Sequence, residues 1–350
     1  MPAYLIRFQL GPLPMTLLEG EILILFLVWL FRLLKQLPNI KIKLPLFLYL
    51  FISLFLVSAT VAVFISPNLR EAAGIWKAYF IEPILFFIVF ITTIKRDDLK
   101  NVLMVLCFNA FLLSIFAVYQ KFTGDFIANP FWAAEATRRV TSVFPYPNAL
   151  ALYLAPLIIL FWGYLVFEIK NSKLFQNSKF KIKNYLFLGY CLLVIVLGIF
   201  AIYFTRSKGA LISILVALIF YALFFKGYRK IFMGIIVVAF ISLFLYFSIS
   251  QVNIINTLKG NATITNGDSI TTRLDMWDET WQMLKTKPIL GAGLSGYQTA
   301  VAPFHKKSYI EIYLYPHNIF LNFWSEIGLL GLLAFIGIII WLYYMYFVTP

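Results

Sequence analysis

The feature that most constrains this chain is a series of long apolar runs parted by short, basic connections. A helix needs about 20 mostly apolar residues to cross the hydrocarbon core of a bilayer. Nine runs approach that length: 17–34, 44–66, 75–94, 100–120, 149–168, 185–204, 209–225, 231–250 and 318–342. Of the 350 residues, 62% are hydrophobic and 13% are charged. A soluble domain carries roughly 45–50% apolar and about 25% charged residues. That contrast excludes a soluble globule, a disordered chain, a collagen and a coiled coil. The expected fold is an all-α polytopic membrane protein of about nine transmembrane helices with one large outer-face loop. Residues 1–250 would form the helix bundle with short loops, 251–317 the large outer loop, and 318–350 the final span.

A net charge of +14 alone would suit a nucleic-acid partner. The cations, however, fall in clusters between the apolar runs. One set comprises Arg32, Lys35, Lys41 and Lys43; Lys95, Arg96 and Lys100; Lys170, Lys173, Lys179, Lys181 and Lys183; and Lys226, Arg229 and Lys230. Dense cations in short connections mark the cytoplasmic side. Nine alternating spans then leave the N-terminus outside and the C-terminus inside. The long connections 121–148 and 251–317 fall on the outer face, as does the tight corner Thr205-Arg206-Ser207-Lys208-Gly209. The partner of such a chain is lipid, not nucleic acid. Cys107 and Cys191 both lie within apolar runs, so no disulfide framework is expected. Two histidines argue against a histidine-rich metal site. Met1–Gly20 reads as a loop without a cleavable signal peptide. The abrupt ends leave room for a further helix beyond either one.

The outer face collects the candidate chemistry. Asp268 or Ser269 is placed to cap a helix running to about Lys287. Leu274, Trp277, Trp281 and Leu284 form an apolar stripe on it, with Arg273 and Lys285 alongside. The simplest reading is an amphipathic helix at the membrane surface with tryptophans at the interface. Pro288 ends that helix, and Gly291, Gly293 and Gly296 make a tight segment after it. Arg206 and Lys208 sit where two spans meet. They either anchor helix ends or pair with a phosphate, which arginine can grip through a bidentate fork. Arg138 and Arg139 add two cations ahead of Pro145 and Pro147. His317 opens the last span, where Asn318 is a good N-cap. A histidine at that rim is either a packed polar residue or a general base near neutral pH. Asn318, Asn322 and Glu326 follow at a spacing of four and would line a pocket, since polar groups at membrane depth face a bundle interior or cavity. Gly328 and Gly331 suggest close helix packing further down. Glu82, before Pro83, reads as a partner for Lys77 or a kink-associated polar contact, and His305 as part of an exposed loop.

Taken together and in order, these stretches resemble the bacterial O-antigen ligase and O-antigen polymerase superfamily. The resemblance rests on Pro147-Asn148-Ala-Leu-Ala at a span start, Thr205-Arg-Ser-Lys-Gly-Ala210 at the corner, and Arg273-Leu-Asp-Met-Trp277 followed by Pro288-Ile-Leu-Gly-Ala-Gly293. It ends on His317-Asn318-Ile-Phe-Leu321 with Glu326-Ile-Gly-Leu-Leu-Gly331. It covers roughly 135–340 well, and the first 130 residues only by their span pattern. Lys208 departs from the small residue common at its position. The resemblance implies a glycosyltransferase of the bacterial cytoplasmic membrane, acting on its outer face without a metal or other cofactor. The implied donor is an undecaprenyl-diphosphate-linked glycan, and the implied acceptor a glycan or lipid-linked glycan. Arg206 and Arg273, with Lys208 and Arg139 nearby, would hold the diphosphate, and His317 would activate the acceptor hydroxyl. Two further readings compete: a transporter or flippase of a lipid-linked anionic glycan, and a structural membrane protein whose outer loop binds a partner. Cations gathered at one face, with few polar groups at mid-membrane, suit the enzyme better than the transporter.

Overall fold

The computed structural model describes residues 3–11, 13–35, 45–171, 182–224, 269–306 and 311–347. The expected span at 231–250, the turn-rich stretch 259–268 and the loop cations at 173–181 and 226–230 lie outside the described residues. Two strands, β1 (Arg7–Leu10) and β2 (Leu13–Thr16), precede α1 (Leu17–Lys35), α2 (Leu46–Ile65) and α3 (Leu69–Thr93). Then come α4 (Leu99–Thr123), α5 (Pro147–Asn171), α6 (Ile182–Thr205) and α7 (Lys208–Phe224). Last are α8 (Ser269–Thr286), α9 (Tyr297–Val301) and α10 (Ile319–Phe347). Among the described residues six helices are long and apolar enough to cross a membrane: α2 to α6 and α10. Helix α7 is apolar but shorter. Helix α1, with Glu19, Glu21, Arg32 and Lys35 near its ends, is not among the six. The chain is therefore an all-α multi-pass membrane protein, and eight of the nine expected runs are helices.

One expectation fails at the N-terminus. Residues 7–16 are not an irregular loop but an antiparallel hairpin, with Arg7 paired to Thr16 and Leu10 to Leu13 around Gly11 at φ 60°. The hairpin hands directly into α1. The Thr16 N–H donates to Glu19 Oε2 at 2.6 Å, and the Glu19 N–H donates back to Thr16 Oγ1 at 3.3 Å. This reciprocal capping box satisfies amides that a helix start otherwise leaves unpaired.

The chain divides into two compact units: Lys95–Ala262, and Pro2–Ile94 with Thr263–Pro350. In the first, α6 packs against both α4 and α5. Cys107, Leu150, Leu154, Phe161, Cys191 and Ile202 are fully buried between them. In the second, α10 packs along α2. Phe55, Phe80, Phe323 and Phe335 interlock there, the last two with ring centroids 4.5 Å apart. Helix α3 carries a π-helical turn at Lys77–Ile81, just before Glu82 and Pro83. Lys77 pairs with Glu19, 3.3 Å away, and of the two uses the sequence offers for Glu82 the ion pair goes to Glu19, leaving Glu82 at the π-helical turn. Glu82 is buried, with its Oε1 making no hydrogen bond.

Candidate functional site

In the first unit the candidate cations gather at helix ends. Helix α4 stops at Gly124, whose φ of 81° and N–H to the Gln120 carbonyl form a left-handed cap. A Cβ there would stand 2.7 Å from Arg138 Nη2, so glycine also makes room for the guanidinium. Arg138 donates to the carbonyls of Ala133, Lys121 and Phe122 at 3.0 to 3.3 Å, covering the exposed end of α4. The following segment is pinned by one buried side chain. Gln120 Oε1 accepts from the Thr141 and Ser142 amides at 3.0 and 2.7 Å, and its Nε2 donates to the carbonyls of Phe126 and Ser142. Arg139 then bridges two other helices, donating to the Thr205 carbonyl at 2.8 Å and to Asn148 Oδ1 at 3.2 Å.

The corner between α6 and α7 has almost no loop. Arg206 takes a left-handed backbone, φ 55°, while Thr205 Oγ1 accepts from the Ser207 amide at 3.2 Å. The Arg206 and Lys208 side chains are exposed. Lys121 lies near enough to Arg206 and Arg138 to feel both charges, with Glu135 as an acidic neighbour. Its ammonium is 5.7 Å from the Phe204 ring centroid. Helix α7 begins at Lys208, so its first amides add partial positive charge to this end. Lys121, at the start of the expected 121–148 connection, was not singled out by the sequence, and it lies in the last turn of α4. The Gly124 cap behind it was the available signal.

The second unit positions His317 and Arg273. Trp277 on α8 donates its indole N–H to the Pro316 carbonyl at 2.9 Å. This bond fastens the residue before His317 to the helix that carries Arg273 one turn earlier. His317 has φ 49°, again left-handed. Its ring lies edge-on to Tyr313 and Tyr315, centroids 5.5 and 5.8 Å away. Partial burial, and then the nearby Arg273 charge, lower the His317 pKa below the usual histidine value. Asn318 caps α10 as expected, its Oδ1 accepting from the amides of Phe320 and Leu321 at 3.0 and 3.3 Å. Further along that stripe, Asn322 Oδ1 is enclosed without a hydrogen bond. Glu326 accepts from the backbone N–H of Ser295.

Ser295 is a residue the sequence did not single out. It has φ 59°, and its hydroxyl donates to Glu71 Oε2 at 2.9 Å. It belongs to the segment after Pro288, which docks where α10 is broken. Gly328 interrupts α10 at φ 76°, ψ 176°, a break where the sequence suggested only close packing. The freed groups find partners in the docked segment. Leu329 N–H donates to the Ile289 carbonyl at 2.9 Å, Ala292 N–H to the Ser325 carbonyl at 2.6 Å, and Trp324 Nε1 to the Pro288 carbonyl at 2.7 Å. Interrupted spans are tolerated at membrane depth when protein groups satisfy the freed backbone in this way. Gly291 and Gly293 allow the approach: a Cβ at either would lie under 3.0 Å from backbone atoms of Ser325 or Ser66.

Two expectations about the outer segment change. Leu274 and Trp281 are exposed, and the buried face of α8 is Met276, Thr280, Met283 and Leu284, which pack on Ala292, Tyr297 and Val301. His305 is not simply an exposed loop residue. Its Nδ1 is 3.1 Å from Glu279 Oε2, and the Lys306 amide donates to the other oxygen of that buried carboxylate at 3.0 Å. Among the described residues no three histidine, cysteine, aspartate or glutamate side chains converge as a metal site.

Residues 193–336 match the family model described as O-antigen ligase. They run from within α6 to the second half of α10, and they include Arg206, Arg273, Glu326 and His317. No curated protein and no solved structure matches the chain.

Proposed function

We propose that this multi-pass membrane protein, whose residues 193–336 match the O-antigen ligase family model, transfers glycan from an undecaprenyl-diphosphate carrier to an acceptor hydroxyl. The transfer would occur on the outer face of the bacterial cytoplasmic membrane, the side to which the cation count of the connections assigns 121–148, 205–209 and 251–317. The observation that carries the reading is the setting of His317. It is fixed through Pro316 to Trp277, lies within the field of Arg273, and has a pKa lowered toward a neutral, proton-accepting ring. In the proposed step His317 takes the proton of the acceptor hydroxyl as that oxygen attacks the anomeric carbon. The bond from that carbon to the diphosphate oxygen breaks, and the carrier diphosphate leaves with the electron pair. Arg273, whose charge reaches His317, would stabilise that departing charge; Arg206, Lys208 and Arg139 stay candidate diphosphate contacts on the motif resemblance, with Arg139 bracing the α6–α7 corner. Guanidinium groups serve this purpose where no metal neutralises the phosphates.

The test is transfer by purified protein from a lipid-linked oligosaccharide donor, assayed in EDTA. Wild type should be active, and His317→Ala should lose about 10²–10⁴ in rate, as expected for removing a general base. Donor binding should persist in the variant. A folded His317→Ala protein near the wild-type rate removes the base assignment. Loss of wild-type transfer in EDTA, restored by Mg²⁺, removes metal independence.

A further inference from the structure

The last helix, α10, turns sharply at its break, a feature the proposed reaction has not used. In a straight helix Phe323 and Phe335, twelve residues apart, would be separated by about 18 Å along the axis. Their ring centroids are 4.5 Å apart, and Phe320 reaches the same Phe335 ring at 6.5 Å. The arm before Gly328 (319–327) therefore lies across the arm after it (329–347), out of line with it. Helix α8 runs beside the first arm. Trp277 donates to the Pro316 carbonyl, the Trp281 ring stands edge-on to Trp324 at 5.6 Å, and Trp324 donates to the Pro288 carbonyl. We infer that α8 and the first arm of α10 lie in the outer headgroup layer as a pair of interfacial helices, with the outer leaflet as their partner, and that the second arm alone crosses the bilayer. That arm is long enough: residues 329–347 reach about 28 Å as a helix, against a hydrocarbon core of about 30 Å.

The pattern of side chains around both helices agrees. On the first arm Asn318, Asn322, Ser325 and Glu326 fall on one side, and Phe320, Phe323 and Ile327 on the opposite side. Phe320 and Phe323 are the residues that meet the second arm, so the apolar side is turned toward the hydrocarbon. The polar side is turned away from it, and there Glu326 accepts from the Ser295 amide. Helix α8 has three faces. Met276, Thr280, Met283 and Leu284 are buried against the protein. Leu274 and Trp281, two turns apart, project on a second face and are exposed. Asp275, Gln282 and Thr286 make a polar third face.

Continuity identifies what covers the exposed face. It runs on into Ile289 and Leu290, which are 68% and 54% exposed. The Ile289 carbonyl accepts from the Leu329 amide, so these side chains stand at the start of the crossing arm, where Leu330 is exposed as well. An apolar surface that extends directly from a membrane-spanning helix meets lipid, and an amphipathic helix seats such a face in the headgroup–acyl boundary. Lys285, one turn after Trp281, and Lys287 are exposed at the end of that face. Lysine stems lie on apolar surface while their ammonium groups reach outward to phosphates. Asp278, at the edge of the face, is paired with Lys306 at 2.6 Å. Arg273 adjoins Leu274 and His317 opens the first arm, so both would stand at headgroup depth, the level of a lipid-borne phosphate. The placement itself does not depend on the transferase reading.

The experiment is spin-label EPR on the full chain in nanodiscs, in a Cys107→Ala/Cys191→Ala background. Single cysteines are placed by Leu274→Cys, Trp281→Cys, Leu290→Cys, Phe320→Cys and Thr286→Cys. Oxygen, which concentrates in lipid, and a water-soluble nickel chelate are the relaxation probes. Labels at 274, 281, 290 and 320 should favour oxygen, at about 5–10 Å into the headgroup–acyl boundary, and the label at 286 should favour the chelate. Labels at 274 and 281 should report one depth, whereas a crossing helix would part them by about 10 Å. Chelate access at 274 and 281 overturns the inference, as does protection of both from either probe, which would mean that protein covers the face. A depth difference of that size between them also overturns it. The unlabelled chain gives a second reading that no label disturbs. Brominated lipid should quench its tryptophan fluorescence, and Trp281→Phe should reduce the quenched part; the same quenching in both proteins overturns the seating of Trp281.

Discussion

The docking of the 288–293 segment against the broken final span can be tested at one atom. Gly328 has φ 76° and ψ 176°, a region that essentially only glycine enters, at about 1–3 kcal/mol for other residues. A Cβ built there would stand 2.5 Å from the Ile289 carbonyl oxygen and 3.2 Å from Leu290 backbone atoms. Those are backbone atoms, so no side-chain rotation relieves the clash. In Gly328→Ala the segment must withdraw. It then loses the Leu329–Ile289 and Ala292–Ser325 hydrogen bonds, each worth about 1 kcal/mol net. The same bonds are at stake in the wild type and cancel from the difference, whereas alanine also favours the continuous, undocked helix over glycine by roughly 1 kcal/mol, which adds to the strain. The balance is about 2–4 kcal/mol against docking, or about 30- to 1,000-fold in its equilibrium. Hydrogen exchange read by mass spectrometry in nanodiscs should show the amides of Ala292 and Leu329 losing protection by that factor. Transfer should fall in parallel, because the half-helix between His317 and Gly328 loses its brace. Gly189→Ala is the control, since nothing lies within 4 Å of a Cβ there. Wild-type protection and rate in Gly328→Ala would refute the argument that the break holds the segment in place.

Two further tests address charge. Burial and Arg273 both hold the His317 pKa down, so the ring stays a neutral base to lower pH than an ordinary histidine. Arg273→Gln removes one of the two causes, so the pKa rises and the acid limb of the pH–rate profile should move to higher pH. Arg273→Lys keeps the charge, so it should leave that limb in place while lowering the rate through loss of the bidentate fork; identical profiles for all three proteins would detach Arg273 from both roles. For topology, cysteines placed by Ala128→Cys and Ala262→Cys should label from outside intact cells, while Gln176→Cys and Tyr228→Cys should not; labelling at 176 would invert the orientation.

The spans were legible because a bilayer imposes one length on every apolar run, and eight of the runs are helices among the described residues. The Asn318 cap was legible for a similar reason: an asparagine ahead of an apolar run has one inexpensive local use. Features that depend on non-local partners were not. The hairpin at 7–16 contains two prolines' worth of turn signal but needs strand pairing to exist, and pairing is not written in either strand alone. Lys77 could equally have met Glu82 or Glu19, and the π-helical turn decides between them. His305 looked idle because its partner, Glu279, lies 26 residues earlier on another element. Gly328 looked like a packing glycine because a helix break shows only in φ and ψ, not in composition.

The backbone itself distinguishes the two candidate residues from their surroundings. Among the described residues, five non-glycine residues have positive φ: Phe126, Ser142, Arg206, Ser295 and His317. A left-handed residue with a Cβ costs roughly 1–2 kcal/mol, and glycine would relieve most of it. Two of the five are held by their own side chains, which justifies the residue type locally. The Ser142 hydroxyl donates to the Leu113 carbonyl at 3.0 Å, and the Ser295 hydroxyl to Glu71. Arg206 and His317 are different. Each sits at a helix start or end, each is exposed, and the backbone around each is fixed by its neighbours: Thr205 and Ser207 for the arginine, Pro316 and Asn318 for the histidine. The turn is therefore built whether or not the side chain is present, and glycine would build it at lower strain. The His317 ring packs edge-on against Tyr313 and Tyr315, and under the proposed transfer an anionic leaving group and an acceptor proton would give the guanidinium and the imidazole a use at these two points. Backbone strain at these two residues is the pattern that the proposed function would leave behind.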